Sequence, residues 1–144
     1  MMNKIGFVVA AVVIMSPLTL AISKNVQAVE KQVKLAQTNQ AEQSVQKIFT
    51  TLISAIEQNN YTQFISQGNA AFKEGMTKQM LTKVSQRFAS RIKKGYSTVF
   101  LGNLNQQGYQ VYLWKLTFKD GGDDILATLS LKDGKIGGFW LRGE

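Results

Sequence analysis

Nine carboxylates are the side chains left to move protons near neutral pH in this 144-residue sequence, because histidine and cysteine are both absent. That absence removes Ser-His and Cys-His dyads, thiol nucleophiles, the usual zinc ligand sets, haem ligation and disulfides. It also removes the cysteine that lipoprotein anchoring would acylate. A carboxylate serves as acid or base only when burial or a charged neighbour moves its pKa toward the working pH. Here every Asp falls in or beside a turn pattern, and the Glu residues fall on polar helix faces or at chain ends. No interior carboxylate stands out, so no catalytic residue is assigned. Asp120-Gly121-Gly122-Asp123-Asp124 places three oxygen donors within five residues. Hairpin turns select Asp and Gly for backbone geometry alone, and this spacing does not follow a cation-binding loop. Neither a metal site nor an organic cofactor is expected.

Two other groups of residues could recognise a partner. Tyr112, Trp114 and Phe118 alternate along one stretch, and together with Trp140 they are candidates to line a pocket for a small apolar ligand. Their ordinary role on a buried strand face is core packing. Lys83, Arg87 and Arg91 recur every four residues, with Lys94 beyond them, inside a Lys73–Lys94 segment whose seven cations are opposed only by Glu74. Such a row is a candidate patch for anionic lipid, cell-wall polymer or an acidic protein, although its ordinary role is a solvated helix face. Nucleic acid is not an expected partner, since the exposed-aromatic and Gly-rich signatures of nucleic-acid modules are missing.

The elements that must position these residues follow from periodicity. Val45, Ile48, Phe49, Leu52, Ile53 and Ile56 recur at helical spacing behind an Asn39–Glu42 capping box. Asn59-Asn60 ends that helix, and Asn60 with Gln63 caps a short second one carrying Tyr61, Phe64 and Ile65. Gly68 and Gly75 bracket a stretch with no regular pattern around Phe72. Thr77 opens a third helix with Leu81, Val84, Phe88 and Ile92 on one face, and Gly95 stops it. From Tyr96 the period changes to two. Turn signals at Asn105 to Gly108, Asp120 to Asp123 and Asp133-Gly134 then divide the remainder into four strands of an antiparallel meander. Tyr112, Trp114, Leu116 and Phe118 should face the helices, and Ile125, Ala127, Leu129 and Leu131 share one face of the next strand. In the last strand alternation puts Ile136 with Trp140, and Phe139 with Leu141 on the other side. Helices first and a meander afterwards is an α+β pattern, with N-terminal helices packed on a curved four-stranded sheet.

Ahead of the domain, Met1 to Lys4 forms a short positive region and Ile5 to Met15 an unbroken apolar run. Val26-Gln27-Ala28 offers small residues at the positions a signal peptidase reads. The expected organisation is a signal peptide over 1–28, a polar linker over 29–40 and one α+β domain over 41–142. Export to the periplasm or the extracellular space follows from it, with a membrane anchor through residues 5–22 as the alternative. Loss of Lys4 and Lys24 with the leader lowers the formal charge from +8 to +6.

The element order, the Asn59-Asn60-Tyr61 break with Phe64 behind it, and the closing run Lys132-Asp133-Gly134-Lys135-Ile136-Gly137-Gly138-Phe139 resemble the nuclear transport factor 2-like superfamily. The bacterial domain of unknown function 3887 is the nearest likeness, over roughly Ala41 to Arg142. The resemblance implies a cystatin-like α+β cone whose interior can hold a ligand. It also implies relatives that are isomerases or dehydratases with a carboxylate in the cone. Two functions are therefore carried forward: a non-enzymatic binding domain, taking a small apolar ligand or a protein partner and able to pair with a second copy through its sheet, and a small cofactor-independent acid-base enzyme acting on an apolar ligand. Edman sequencing of the exported product should start at Val29; recovery of Met1 or Met2 on a membrane-bound form would contradict cleavage.

Overall fold

The computed structural model describes residues 26–29 and 43–143. The chain divides into two compact units, 1–42 and 43–144. Of the first unit, 26–29 form an exposed helical turn; the rest of the expected leader and linker, and the Asn39–Glu42 capping box, lie outside the described residues. No described helix is long and apolar enough to cross a membrane.

The second unit begins with α1, helical over 43–57, whose stripe Val45, Phe49, Leu52, Ile53 and Ile56 is buried. Asn59 ends it in the left-handed conformation (φ 51°), a geometry that Asn tolerates better than most residues. The Asn60 side chain then accepts the Gln63 N–H at 3.1 Å and starts α2, Tyr61–Ile65. The stretch around Phe72 is not irregular: Asn69 accepts the Phe72 N–H at 2.8 Å and caps α3, Ala70–Gly75. This turn and a half buries one side chain, Phe72, too few for any periodicity to register. Thr77 caps α4, Lys78–Lys94, which buries Leu81, Ser85, Phe88 and Ile92 and ends at Gly95 (φ 107°).

Four strands follow as an antiparallel meander in the order β1-β2-β3-β4: β1 Tyr96–Gln106, β2 Tyr109–Phe118, β3 Ile125–Lys132 and β4 Lys135–Arg142. Two of the three turns are two-residue hairpins with positive φ at both positions, Gln107-Gly108 and Asp133-Gly134, the backbone twist that suits the strands they join. The inner sheet face packs Trp114, Leu116 and Phe118 with Ile125, Ala127, Leu129 and Leu131 against the helices, in one continuous core. Between α2 and α3 the chain runs beside β4: Ile136 donates to the Gln67 carbonyl at 2.9 Å and accepts from Asn69 at 2.8 Å.

β4 departs from simple alternation. Ile136 pairs with Leu131 but Gly138 pairs with Ser130, so a bulge inserts Gly137. Ile136 and Phe139 thereby share the core side, at 1% and 7% exposure, while Trp140 is 45% exposed. The expected pairing of Ile136 with Trp140 is thus corrected, because an extra residue shifts all later side chains by one face. Leu116, fully buried on the central strand β2, should be the most sensitive aliphatic site of the sheet. Leu116→Ala should cost about 2–5 kcal/mol in urea unfolding, and Leu116→Asp should leave no cooperative transition.

Candidate functional site

Between α4 and the end of β4, helices and sheet leave a cavity of about 220 Å³. α1 contributes Ile56, α2 Phe64, α4 Met80, Leu81, Val84 and Phe88, and β4 Phe139 to Leu141; Met76, between α3 and α4, completes the lining. None of these side chains ionises. Ile56, Phe64, Leu81 and Phe88 form the floor as part of the core, whereas Met80 is 47% exposed and stands at the mouth. Hydrogen bonds fix the rim. The Tyr61 hydroxyl donates to the Met76 carbonyl at 2.8 Å, and the buried Ser85 hydroxyl donates to the Ile56 carbonyl at 2.7 Å, tying α4 to the end of α1. The walls are therefore held while the mouth is made of two unbranched methionines, which adapt to irregular apolar shapes.

The aromatic residues singled out in the sequence do not converge on this cavity. Trp114 and Phe118 are core residues, 2% and 3% exposed. Trp114 stacks on Phe49 with ring centroids 4.4 Å apart and donates its indole N–H to Gln46 Oε1 at 3.2 Å. Phe118 lies against Phe88 and beneath the Arg91 guanidinium, 4.1 Å from the ring centroid. Tyr112 is half-buried beside Trp114 and Phe100, and burial pushes its hydroxyl pKa up, so it stays protonated at neutral pH. Trp140 borders the cavity, but as an exposed residue of β4 rather than a partner of the other three. Val84 was read from the sequence only as part of an apolar helix face, the same form as ordinary core, and Met76 and Met80 were not singled out.

The basic row divides into two pairs with different work. Arg91 ion-pairs with Asp120 at 3.0 Å, with both side chains less than one-fifth exposed, and also donates to the Asp123 carbonyl at 3.3 Å. Arg87 donates to the Gly143 carbonyl at 2.6 Å and lies over the Phe88 ring. Both arginines thus hold chain segments in place, while Lys83 and Lys94 stay exposed. The row is not four free cations on one face. The turn carboxylates are engaged as well. The Arg91 hydrogen bond holds the Asp120 pKa below the usual carboxylate range, and the Thr117 hydroxyl, donating at 2.6 Å, does the same for Asp124 with Lys115 at 3.3 Å in support. These shifts run opposite to the raised pKa that a carboxylic acid needs to donate a proton near neutrality. Among the described residues Glu57, Glu74, Asp123, Asp124 and Asp133 lie at exposed positions, the Asp120 carboxylate is covered by Arg91, and no group of three or more acidic side chains could hold a metal ion.

No family model matches the chain, and no curated protein matches it significantly. Among solved structures it is similar to an uncharacterized cystatin fold protein from Novosphingobium aromaticivorans, at 14% identity and a TM-score of 0.38, covering 67% of this chain and 96% of that one.

The Arg91–Asp120 pair predicts a specific pH dependence. A carboxylate whose pKa is lowered on folding contributes stability above its unfolded pKa of about 3.9 and loses that contribution as pH falls through the lower folded value. Asp120→Asn should therefore unfold at lower urea than the parent at about pH 7, and the gap should narrow as the pH falls below the ordinary carboxylate range. A gap that does not change with pH would show that Asp120 acts through packing rather than charge.

Proposed function

We propose that this chain is a non-enzymatic binding domain of the nuclear transport factor 2-like kind, nearest to the bacterial domain of unknown function 3887, and that it works outside the cytoplasm. The carrying observation is the cavity between α4 and β4: enclosed by Phe64, Leu81, Phe88 and Phe139, opened by two methionines, and without an ionising side chain in its lining. Support for the family reading is the meander behind capped helices, together with the closing Lys132–Phe139 run. Support for export is the Lys4 and Ile5–Met15 leader with Val26-Gln27-Ala28 behind it.

Size and chemistry select the ligand. Small-molecule sites usually measure about 300–1,000 Å³, and an apolar cavity of about 150 Å³ holds a benzene-sized molecule. A cavity of about 220 Å³ suits one aromatic ring or a short branched alkyl group. Such a group enters as a free ligand or as an anchoring side chain of a protein partner; both are driven by burial of apolar surface at about 25 cal/mol per Å². An acid-base enzyme acting on the same ligand would need a carboxylate beside it.

Indole and tert-butanol serve as probes for the full chain carrying 13C-methyl methionine. Saturable shifts of the Met76 and Met80 methyl signals are expected. Val84→Phe, which fills the cavity from α4, should weaken them about tenfold or more, with Met80→Phe as a second filling variant at the mouth if Val84→Phe unfolds. No saturable shift with either probe would end the binding reading. Turnover in an isomerase, dehydratase and hydrolase screen, abolished by neutralising one carboxylate, would favour the enzyme instead.

A further inference from the structure

A second cleft lies on the opposite face of the sheet, away from the helices. The bulge in β4 sets two glycines in succession on this outer face, Gly137 and Gly138. A Cβ at Gly138 would collide with the six-membered ring of Trp140, and one at Gly137 with the ring of Tyr109. The two aromatic rings therefore rest directly over the glycine backbone, occupying the space that side chains would fill. They flank a cleft of about 370 Å³, with Val111 and Ser130 in its floor and Gln106 and Gln107 in its wall. Gln107 is held on the β1–β2 hairpin by its left-handed backbone (φ 52°), and the Lys132 ammonium stands 5.7 Å from the Tyr109 ring centroid. Trp140 keeps 45% of its surface open although it borders this sheltered ground.

We propose that this cleft binds a neutral saccharide ring. A pyranose has an apolar C–H face and a rim of hydroxyls, and the cleft offers the matching pair: the exposed Trp140 indole and the half-buried Tyr109 phenol for the C–H face, and amide and hydroxyl groups for the rim. A wholly apolar occupant would strip water from Gln106, Gln107 and Ser130 without replacing their hydrogen bonds, which costs more than the burial returns at these positions. A cationic occupant would meet Lys132 and no carboxylate in the lining. The volume lies in the small-molecule range of about 300–1,000 Å³. This site is separate from the apolar cavity and uses different side chains, apart from Trp140 at the border of both.

Cellotetraose and the tetramer of N-acetylglucosamine are the probes, titrated into the full chain by calorimetry and by tryptophan emission. With Trp114 stacked in the core, a change in emission reports Trp140. At least one tetramer should give saturable heat and a matching emission change. Trp140→Ala and Tyr109→Ala should each weaken it roughly tenfold or more, and Trp140→Phe should keep part of the affinity. Gly138→Ala, which lifts the Trp140 ring, should weaken it as well, whereas Val84→Phe in the apolar cavity should leave it unchanged. Absence of binding by both tetramers, equal affinity in Trp140→Ala, or binding of adenosine in preference to either sugar would overturn the proposal.

Discussion

The first helix and the sheet are joined through the side chain of Trp114. Trp114 stands on the inner face of the central strand β2, stacks on Phe49 of α1 and spends its indole N–H on Gln46, three residues earlier on the same helix. Phe49 in turn meets Phe139 of β4 edge-on, and Phe139 meets Phe64 of α2. One aromatic chain thereby runs from β2 through α1 to β4 and α2. A sheet and a helix each have one face to bury, and this chain decides which residues of the two faces oppose one another. Phe64 and Phe139 of this chain also line the apolar cavity, so Trp114 is linked to the cavity wall through Phe49 without lining it.

The polar groups show a similar economy. A domain with no disulfide and a positive net charge has to restrain its longest turn by other means. Arg91 restrains the β2–β3 connection from α4, with its guanidinium stacked on Phe118, paired with Asp120 and bonded to Asp123. Gly122 leaves room for it, since a Cβ there would collide with the guanidinium. Planar stacking together with forked hydrogen bonding is a task for which lysine is no substitute.

Much of this arrangement was legible in the residues. The six-residue stripe of α1, the alternation of Tyr112 to Phe118, the Asn60 and Thr77 caps and the hairpin turns all announce themselves locally, because each rests on a period or a cap of a few residues. What was not legible depends on partners distant in the chain. The bulge at Gly137 turns Trp140 outward, and no spacing in Ile136 to Trp140 shows an extra residue until Ser130 and Leu131 are seen to pair on either side of it. α3 escapes notice because one buried Phe72 makes no pattern. Arg91 looks like a member of a basic row until Asp120, 29 residues later, is placed beside it. The aromatic set of Tyr112, Trp114, Phe118 and Trp140 joined core residues to an outer-face residue because alternation was carried across that same bulge.

The two positive-φ hairpins also bear on how the chain finds this structure. Turns of two residues let β1 meet β2, and β3 meet β4, with almost no loop to close, so most of the sheet can form between neighbours in sequence. The Gln46–Trp114 bond spans 68 residues and brings α1 onto a sheet whose strands lie wholly downstream of it. Docking of α1 is then a closure over a long stretch of chain, whereas α4, which also packs on β2 through Phe88 and Phe118, is a near neighbour of the sheet in sequence. The Gly137 insertion acts before that docking: a bulged, twisted β4 is a poor template for a strand from another molecule, which keeps the half-assembled sheet from growing at that edge.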